Sequence, residues 1–342
     1  PPSPDPSGIA YNSTANTLLI SDGEVEEMSI WAGVNFFETT LSGTLLRGSS
    51  TTAVATEPTG VAFPPPGGKL FFCDDDARRV FQVDLGADGR LGTSDDRATS
   101  FSTTAFGSGD PEGVAYDYLQ NRLYVADGVN TEIYEILPGG NGVFDGVSPA
   151  GDDQVSHFDT SSLGVRDPET VEFNPDNGNL FLADGGGDKV VETTTSGAVI
   201  REIDTSSVGL SHAAGLAYAP GSVDPNTKNL YIADRRVDNC SNPNENDGKV
   251  FEIAIGASSG GGGDPDGIRI SSGADDAEEK ASSSMSLTSS DLELTFDGSV
   301  QQVGLRFNGV AVPQGAAIAS AYIQFKADET QSEATSLLIR GQ

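Results

Sequence analysis

The chain of 342 residues carries 51 acidic against 19 basic side chains, a net charge of −32, which disfavours nucleic acid and anionic membrane surfaces as partners because phosphate binding needs clustered Lys and Arg. No apolar run approaches the about 18 residues of a membrane span, and two cysteines do not make a disulfide framework. The 42 glycines and 18 prolines, with short apolar runs divided by Gly, Pro, Asn and Asp, predict an all-β chain.

In chain order, one pattern occurs five times: SGIAYNSTANTLLISD from Ser7, TGVAFPPPGGKLFFCD from Thr59, EGVAYDYLQNRLYVAD from Glu112, ETVEFNPDNGNLFLAD from Glu169, and a longer copy from Ala214 to Asp234. The starts are 52, 53, 57 and 45 residues apart, the period of a four-stranded propeller blade. Each copy opens on a small apolar run, such as Gly113-Val114-Ala115-Tyr116, suited to an inner strand crowded near an axis. A turn follows, then a run such as Leu123-Tyr124-Val125-Ala126-Asp127, apolar enough to be buried on both faces. A third run alternates, as in Ile133-Tyr134-Glu135-Ile136, which puts one face in and one out. Fourth strands are expected near Thr44–Arg47, Ala98–Thr103, Val155–Asp159 and Val199–Ile203, with none evident after Ile255. One such unit cannot bury its faces alone, so the copies must stack around an axis. A β-propeller over residues 1–255 is the expectation, with five repeats visible and six blades the alternative. Three prolines among the first four residues argue against a well-paired strand there, so either the fifth blade is short or the natural chain continues upstream.

These segments resemble the bacterial NHL, SMP-30-like and SdiA-regulated (YjiK-like) propeller families over about residues 5 to 255. The resemblance implies a propeller. It leaves function open among calcium-dependent hydrolases, lactonases and binding scaffolds.

Residues 256–267, rich in Gly and Ser, read as a linker, and residues 268–342 as a second β domain. Strand-like runs are expected at Ile268–Ser271, Ser284–Leu287, Leu292–Phe296, Val303–Phe307, Ala319–Phe325 and Ser336–Ile339. The pieces Asp275-Asp276-Ala277-Glu278-Glu279, Val303-Gly304-Leu305-Arg306-Phe307 and Ala321-Tyr322-Ile323-Gln324-Phe325 resemble the first half of a DNRLRE-type carbohydrate-binding-module-like β-sandwich (jelly roll). That resemblance implies carbohydrate, or copies of the chain itself, as a partner. A sandwich cut in half exposes an edge and an open core face, which calls for a longer natural protein or self-assembly.

Four places offer oxygen-rich metal ligation of the kind Ca²⁺ takes. With Asp84 as position 1 of an EF-hand-like loop, Asp88 is 5, Gly89 the turn glycine, Arg90 supplies a carbonyl at 7, Asp95 is 12 and Asp96 adjoins it. The competing reading is a polar hairpin with Asp-Gly turn chemistry. A weaker loop holds Asn141, Asp145, Asp152 and Asp153, a third holds Asp238, Asn242, Asn244, Glu245 and Asp247, and Asp275 with Asp276 forms a fourth.

A separate set sits just ahead of the inner strands: Asp5, Glu57, Asp110, Asp167 and His212, then Ser7, Thr59, Glu112, Glu169 and Ala214. If the first strands line the axis, Asp110, Glu112, Asp167, Glu169 and His212 converge on one channel mouth and bind a cation or position a water. Asp-Pro and Glu-Pro also start turns, the plainer explanation. The recurrent Asp22, Asp74, Asp127, Asp184 and Asp234 read as turn ties, Cys73 as a buried thiol, and His157 as a surface residue.

No nucleophile elbow, zinc-binding His pair or phosphate loop occurs. The sequence therefore favours an extracellular or cell-surface calcium-binding scaffold for adhesion, matrix or filament assembly. A calcium-dependent phosphoesterase or lactonase at the channel mouth is the alternative.

Overall fold

The computed structural model describes residues 3–63, 68–186, 189–236, 246–255, 276–286 and 299–307. The chain divides into two units, Pro1–Gly261 and Gly262–Gln342.

The first unit is built from consecutive antiparallel meanders. The first sheet holds β1 (Pro6–Asn12), β2 (Thr17–Asp22), β3 (Phe36–Thr40) and β4 (Leu45–Ser49) in that order. The second holds β5 (Pro58–Ala62), β6 (Leu70–Asp74), β7 (Arg79–Asp84) and β8 (Arg97–Ser102). The third holds β9 (Pro111–Asp117), β10 (Arg122–Asp127), β11 (Glu132–Leu137) and β12 (Gln154–Asp159), and the fourth β13 (Pro168–Asn174), β14 (Asn179–Asp184), β15 (Lys189–Thr193) and β16 (Val199–Asp204). Among the described residues the fifth sheet has three strands, β17 (Ala213–Pro220), β18 (Lys228–Asp234) and β19 (Lys249–Ala254).

The repeat's hydrophobicity gradient explains this layout. The second strand of every sheet is almost wholly buried, as its unbroken apolar run requires. Outer strands such as β12 and β16 alternate between exposed and half-buried. Side chains from one sheet interleave with those of the next. Ala10, Leu19 and Phe36 share a core with Val61, Leu70, Phe72 and Phe81, and Phe71 and Cys73 share one with Val114, Leu123 and Tyr134. Tyr124 packs with Val171 and Leu180, and Phe181 with Leu216 and Leu230. Ile9, Leu18 and Phe37 join Ala217, Tyr231 and Ala233, which links the fifth sheet back to the first. Burying each such large side chain contributes about 1.5–3 kcal/mol.

Close approach at the inner edge selects glycine. A Cβ on Gly60 would lie 2.5 Å from the Gly113 Cα, and one on Gly215 would lie 2.9 Å from the Gly8 Cα. Thr170 holds the equivalent place in β13, and its Oγ1 accepts the Leu216 N–H at 3.1 Å.

Ser3–Asp5 precede β1 without joining a sheet, and Pro4 O accepts the Gly248 N–H at 3.1 Å beside β19. Cys73 is a free, fully buried thiol whose Sγ faces Gly113 O at 3.7 Å. His157 lies on β12, 54% exposed, with Nδ1 3.0 Å from Glu132 Oε1.

In the second unit β20 (Asp276–Lys280) pairs antiparallel with β21 (Met285–Ser286) and β22 (Gln301–Leu305). The expected strands at 268–271, 292–296, 319–325 and 336–339 lie outside the described residues. Of the expected Asp275–Asp276 ligand pair, Asp276 pairs with Leu305 in the β20–β22 ladder and Asp275 lies outside the described residues.

Candidate functional site: the acidic mouth and the outer loops

The repeated Asp at the end of each second strand ties two loops together. Asp127 Oδ2 accepts the N–H groups of Gly109 (2.9 Å) and Asp110 (3.2 Å), while Oδ1 accepts that of Asn130 at 2.8 Å. Asp234 does the same for Ser211, His212 and Arg236 at 2.9, 2.8 and 3.0 Å. Asp22 binds Asp5 N at 3.0 Å and Val25 N at 3.0 Å. The loop entering each inner strand is thereby pinned to the turn leaving the second strand, which fixes the residues just ahead of the inner strand.

Those residues gather. Carboxylate oxygens of Asp75, Asp110 and Glu112 all lie within 4.8 Å of one another. Asp110 and Asp167 flank Gly128, whose added Cβ would stand 2.6 Å from Asp167 Oδ1 and 3.2 Å from Asp110 Oδ2. Glu169 and His212 flank Gly185 in the same way. Arg235 Nη2 donates to His212 Nε2 at 2.6 Å and lies 3.4 Å from Glu169 Oε1. Because Nε2 accepts from the guanidinium, it has no proton to give Glu169, whose Oε1 is 3.4 Å away.

The mouth thus has two halves. In one, Arg235 faces Glu169, which is only 4% exposed and whose Oε2 has no hydrogen-bond partner. In the other, three carboxylates face each other. Burial, then the charges of Glu169 and Asp75, push Glu112 well above the usual carboxylate range, with Arg235 pulling the other way. Burial and the neighbouring Asp110 raise Asp75 to about 6. Burial lowers Arg235, and the carboxylates of Glu169 and Glu112 outweigh it and raise the guanidinium.

Asp75 and Arg235 were not among the residues expected at the mouth, yet the repeat marks both. The residue after the recurrent Asp is Gly23, Asp75, Gly128, Gly185 and Arg235 in turn. Three glycines make room at the mouth, and the two departures project charge into it.

The outer loops differ from one another. Around Thr93, Asp95 Oδ2 accepts the Ala87 N–H at 2.8 Å, Asp88 Oδ1 that of Arg90 at 2.9 Å, and Asp96 Oδ2 that of Gly92 at 2.7 Å. Asp84 Oδ1 accepts Gly86 N at 3.1 Å. These are turn contacts of the kind the hairpin reading describes. The same loop also surrounds the Thr93 hydroxyl with Asp88 Oδ1 (3.4 Å), Arg90 O (3.3 Å), Asp95 Oδ1 (2.7 Å) and Asp96 Oδ1 (3.4 Å). In the loop after β11, carboxylate oxygens of Asp145, Asp152 and Asp153 come within 4.8 Å of one another. Asn141 Nδ2 donates to Asp145 at 2.8 Å, and the N–H groups of Asp145 and Gly146 hold Asp153 Oδ2 at 3.1 and 2.7 Å. Asp153 is 6% exposed and its Oδ1 has no hydrogen-bond partner. Burial raises its pKa, as does the Asp145 charge, against the N–H groups of Gly146 and Asp145 and the neighbouring Gly139 N–H, which reaches the carboxylate without making a hydrogen bond of ordinary geometry to Oδ1. Asp238, Asn242, Asn244 and Glu245 lie outside the described residues; Asp247 stands 3.8 Å from Arg236 Nε.

Four-stranded meanders packed in succession around crowded inner strands define a β-propeller. The SdiA-regulated family model matches residues 3–233, and the chain belongs to that family. No curated protein matches it. Among solved structures it is similar to a luciferin-regenerating enzyme at 13% identity and a TM-score of 0.47, over 74% of this chain and 92% of that one. It is similar to regucalcin, a calcium-binding protein from Agrobacterium tumefaciens, at 12% identity and a TM-score of 0.43, with the same coverage of 74% and 92%. A streptogramin B lyase is similar at 12% identity and a TM-score of 0.39, over 75% of this chain and 71% of that one.

Proposed function

We propose that this chain is a secreted or cell-surface, calcium-binding propeller of five blades that acts as a scaffold in adhesion, matrix or filament assembly. The grouping of Asp145, Asp152 and Asp153 around a buried, unpartnered carboxylate oxygen carries the calcium reading. A carboxylate oxygen left bare in a nearly dry position is costly unless a cation meets it. Ca²⁺ takes six to eight such oxygens, with water completing the shell. The cycle of shared cores supports five blades. A net charge of −32 suits a calcium-rich exterior. The second unit, read as a carbohydrate-binding-like sandwich, supplies the surface for carbohydrate or a second copy of the chain.

Asp75, Asp110 and Glu112 favour a second reading, a calcium-dependent hydrolase of phosphoesters or lactones. Three carboxylates can hold a divalent ion at the channel mouth and leave positions for water and substrate. Calorimetric Ca²⁺ titration of the parent, of the Asp145→Asn/Asp153→Asn double variant and of Glu112→Gln separates the readings when paired with phosphoester and lactone assays. The scaffold reading expects the double variant to lose most of the measured binding and no preparation to turn over substrate. Hydrolysis that needs Ca²⁺ and disappears in Glu112→Gln would establish the enzyme instead.

A further inference from the structure

The same inner strands that carry the acidic mouth present a different chemistry four residues further on, about 13 Å along each strand. There every sheet contributes one aromatic ring: Tyr11, Phe63, Tyr116, Phe173 and Tyr218. Together they wall a cavity of about 140 Å³. That is close to the roughly 150 Å³ in which an engineered protein cavity holds benzene. Three tyrosine hydroxyls are already engaged: Tyr11 with Asn16 at 2.9 Å, Tyr116 with Asn121 at 2.9 Å, and Tyr218 with Asp176 at 2.8 Å. The rings are braced from behind, Tyr116 by Phe71 at 4.9 Å and Tyr218 by Phe181 at 5.8 Å between centroids, and the parts that line the cavity are what a ligand would meet.

One wall position breaks the repeat. The residue before each aromatic is Ala10, Ala62, Ala115, Glu172 and Ala217 in turn. Glu172 lines the cavity, and its Oε1 accepts the Tyr218 N–H at 2.9 Å, which fixes the carboxylate in the aromatic wall. The Tyr218 ring already attracts a cation, since Lys228 Nζ, on an exposed side chain at the rim, lies 5.5 Å from its centroid. From this geometry we propose that the aromatic end of the channel is a binding site for a compact organic cation, an alkylated ammonium group seated among the rings with Glu172 as its counter-charge. Aromatic faces together with a carboxylate are the chemistry that distinguishes such a cation from a neutral group of equal size. Burial pushes Glu172 up to about 8, against the hydrogen bonds of the Tyr218 and Phe173 N–H groups, so the carboxylate is charged only in alkaline solution. Lys228 competes for the same ring.

The test is calorimetric titration of the full chain with choline at a pH above 8, against its neutral isostere 3,3-dimethylbutan-1-ol. The expected result is saturable choline binding, about tenfold or more tighter than the alcohol. Glu172→Gln keeps an acceptor for the Tyr218 N–H and should weaken choline about tenfold while leaving the alcohol unchanged. Tyr118→Ala removes a partly exposed ring from the cavity wall and should weaken choline about threefold, which keeps the test intact if the Gln variant misfolds. Lys228→Met should strengthen it. Chelation of Ca²⁺ should leave choline affinity unaltered, which separates this site from the acidic mouth and outer loops. Absence of saturable choline binding, equal affinity for the alcohol, or binding indifferent to both Glu172→Gln and Tyr118→Ala overturns the proposal.

Discussion

The two ends of the channel are made by the same five strands, and they use the repeat in opposite ways. At the aromatic end all five copies supply a ring, and a single alanine-to-glutamate departure, Glu172, introduces charge. At the acidic end the copies disagree, with Ser7, Thr59, Glu112, Glu169 and Ala214 in equivalent places and Asp75 and Arg235 where three others have glycine. What all copies share builds the ring. What one or two copies change places chemistry on it.

Removing Arg235 should break the acidic end most. Arg235→Ala strands the buried Glu169 carboxylate and is expected to cost about 3 kcal/mol in denaturant unfolding. Adding Glu169→Leu should recover most of that loss, whereas an equally damaged double variant would mean that the pair is not the cause. Truncating a shared element should cost somewhat less. Asp127→Ala frees the N–H groups of Gly109, Asp110 and Asn130, and a loss of about 2 kcal/mol is expected.

The next effect is one of pH. Burial, then Asp75, Asp76, Asp74 and Glu26, raise Glu57 to about 8, and burial raises Asp22 to about 6. Both groups bind protons more tightly folded than unfolded, so their contribution to stability is fully present below about pH 4 and is lost as pH rises through 6 and then 8. In chelator, the denaturant midpoint should therefore fall between pH 5 and pH 8 by an amount that Glu57→Gln reduces. A flat profile would mean that burial does not hold Glu57 and Asp22 in their protonated forms. The smallest effect belongs to Cys73, which should react with a thiol reagent only on unfolding, because it is fully buried and burial pushes its thiol well up.

Much of the first unit could be read in the sequence because each strand type has its own hydrophobic pattern. β10 is apolar between its charged ends Arg122 and Asp127, β11 alternates, and both occur within a residue or two of their expected bounds. Asp110, Glu112, Asp167, Glu169 and His212 could be placed because they occupy two neighbouring registers of the repeat, two residues apart. Asp75 and Arg235 were missed because they follow the second strand, and only the tie made by the recurrent Asp brings that turn to the inner strand. The outer loops illustrate a different limit. Residue spacing ranks the Asp84–Asp96 loop first, yet there the carboxylates spend their oxygens on backbone N–H groups, while in the Asp145–Asp153 loop one oxygen stays buried and unpartnered. Spacing alone does not report which lone pairs the turn has already used.

The most direct test is thermal unfolding of the parent and of Asp145→Asn/Asp153→Asn, each with Ca²⁺ and with chelator. A ligand at 100 times its Kd stabilises by about 2.7 kcal/mol, so the parent should melt roughly 5 °C or more lower in chelator. The double variant should melt at nearly the same temperature in both conditions. A parent indifferent to chelation would contradict the calcium reading outright.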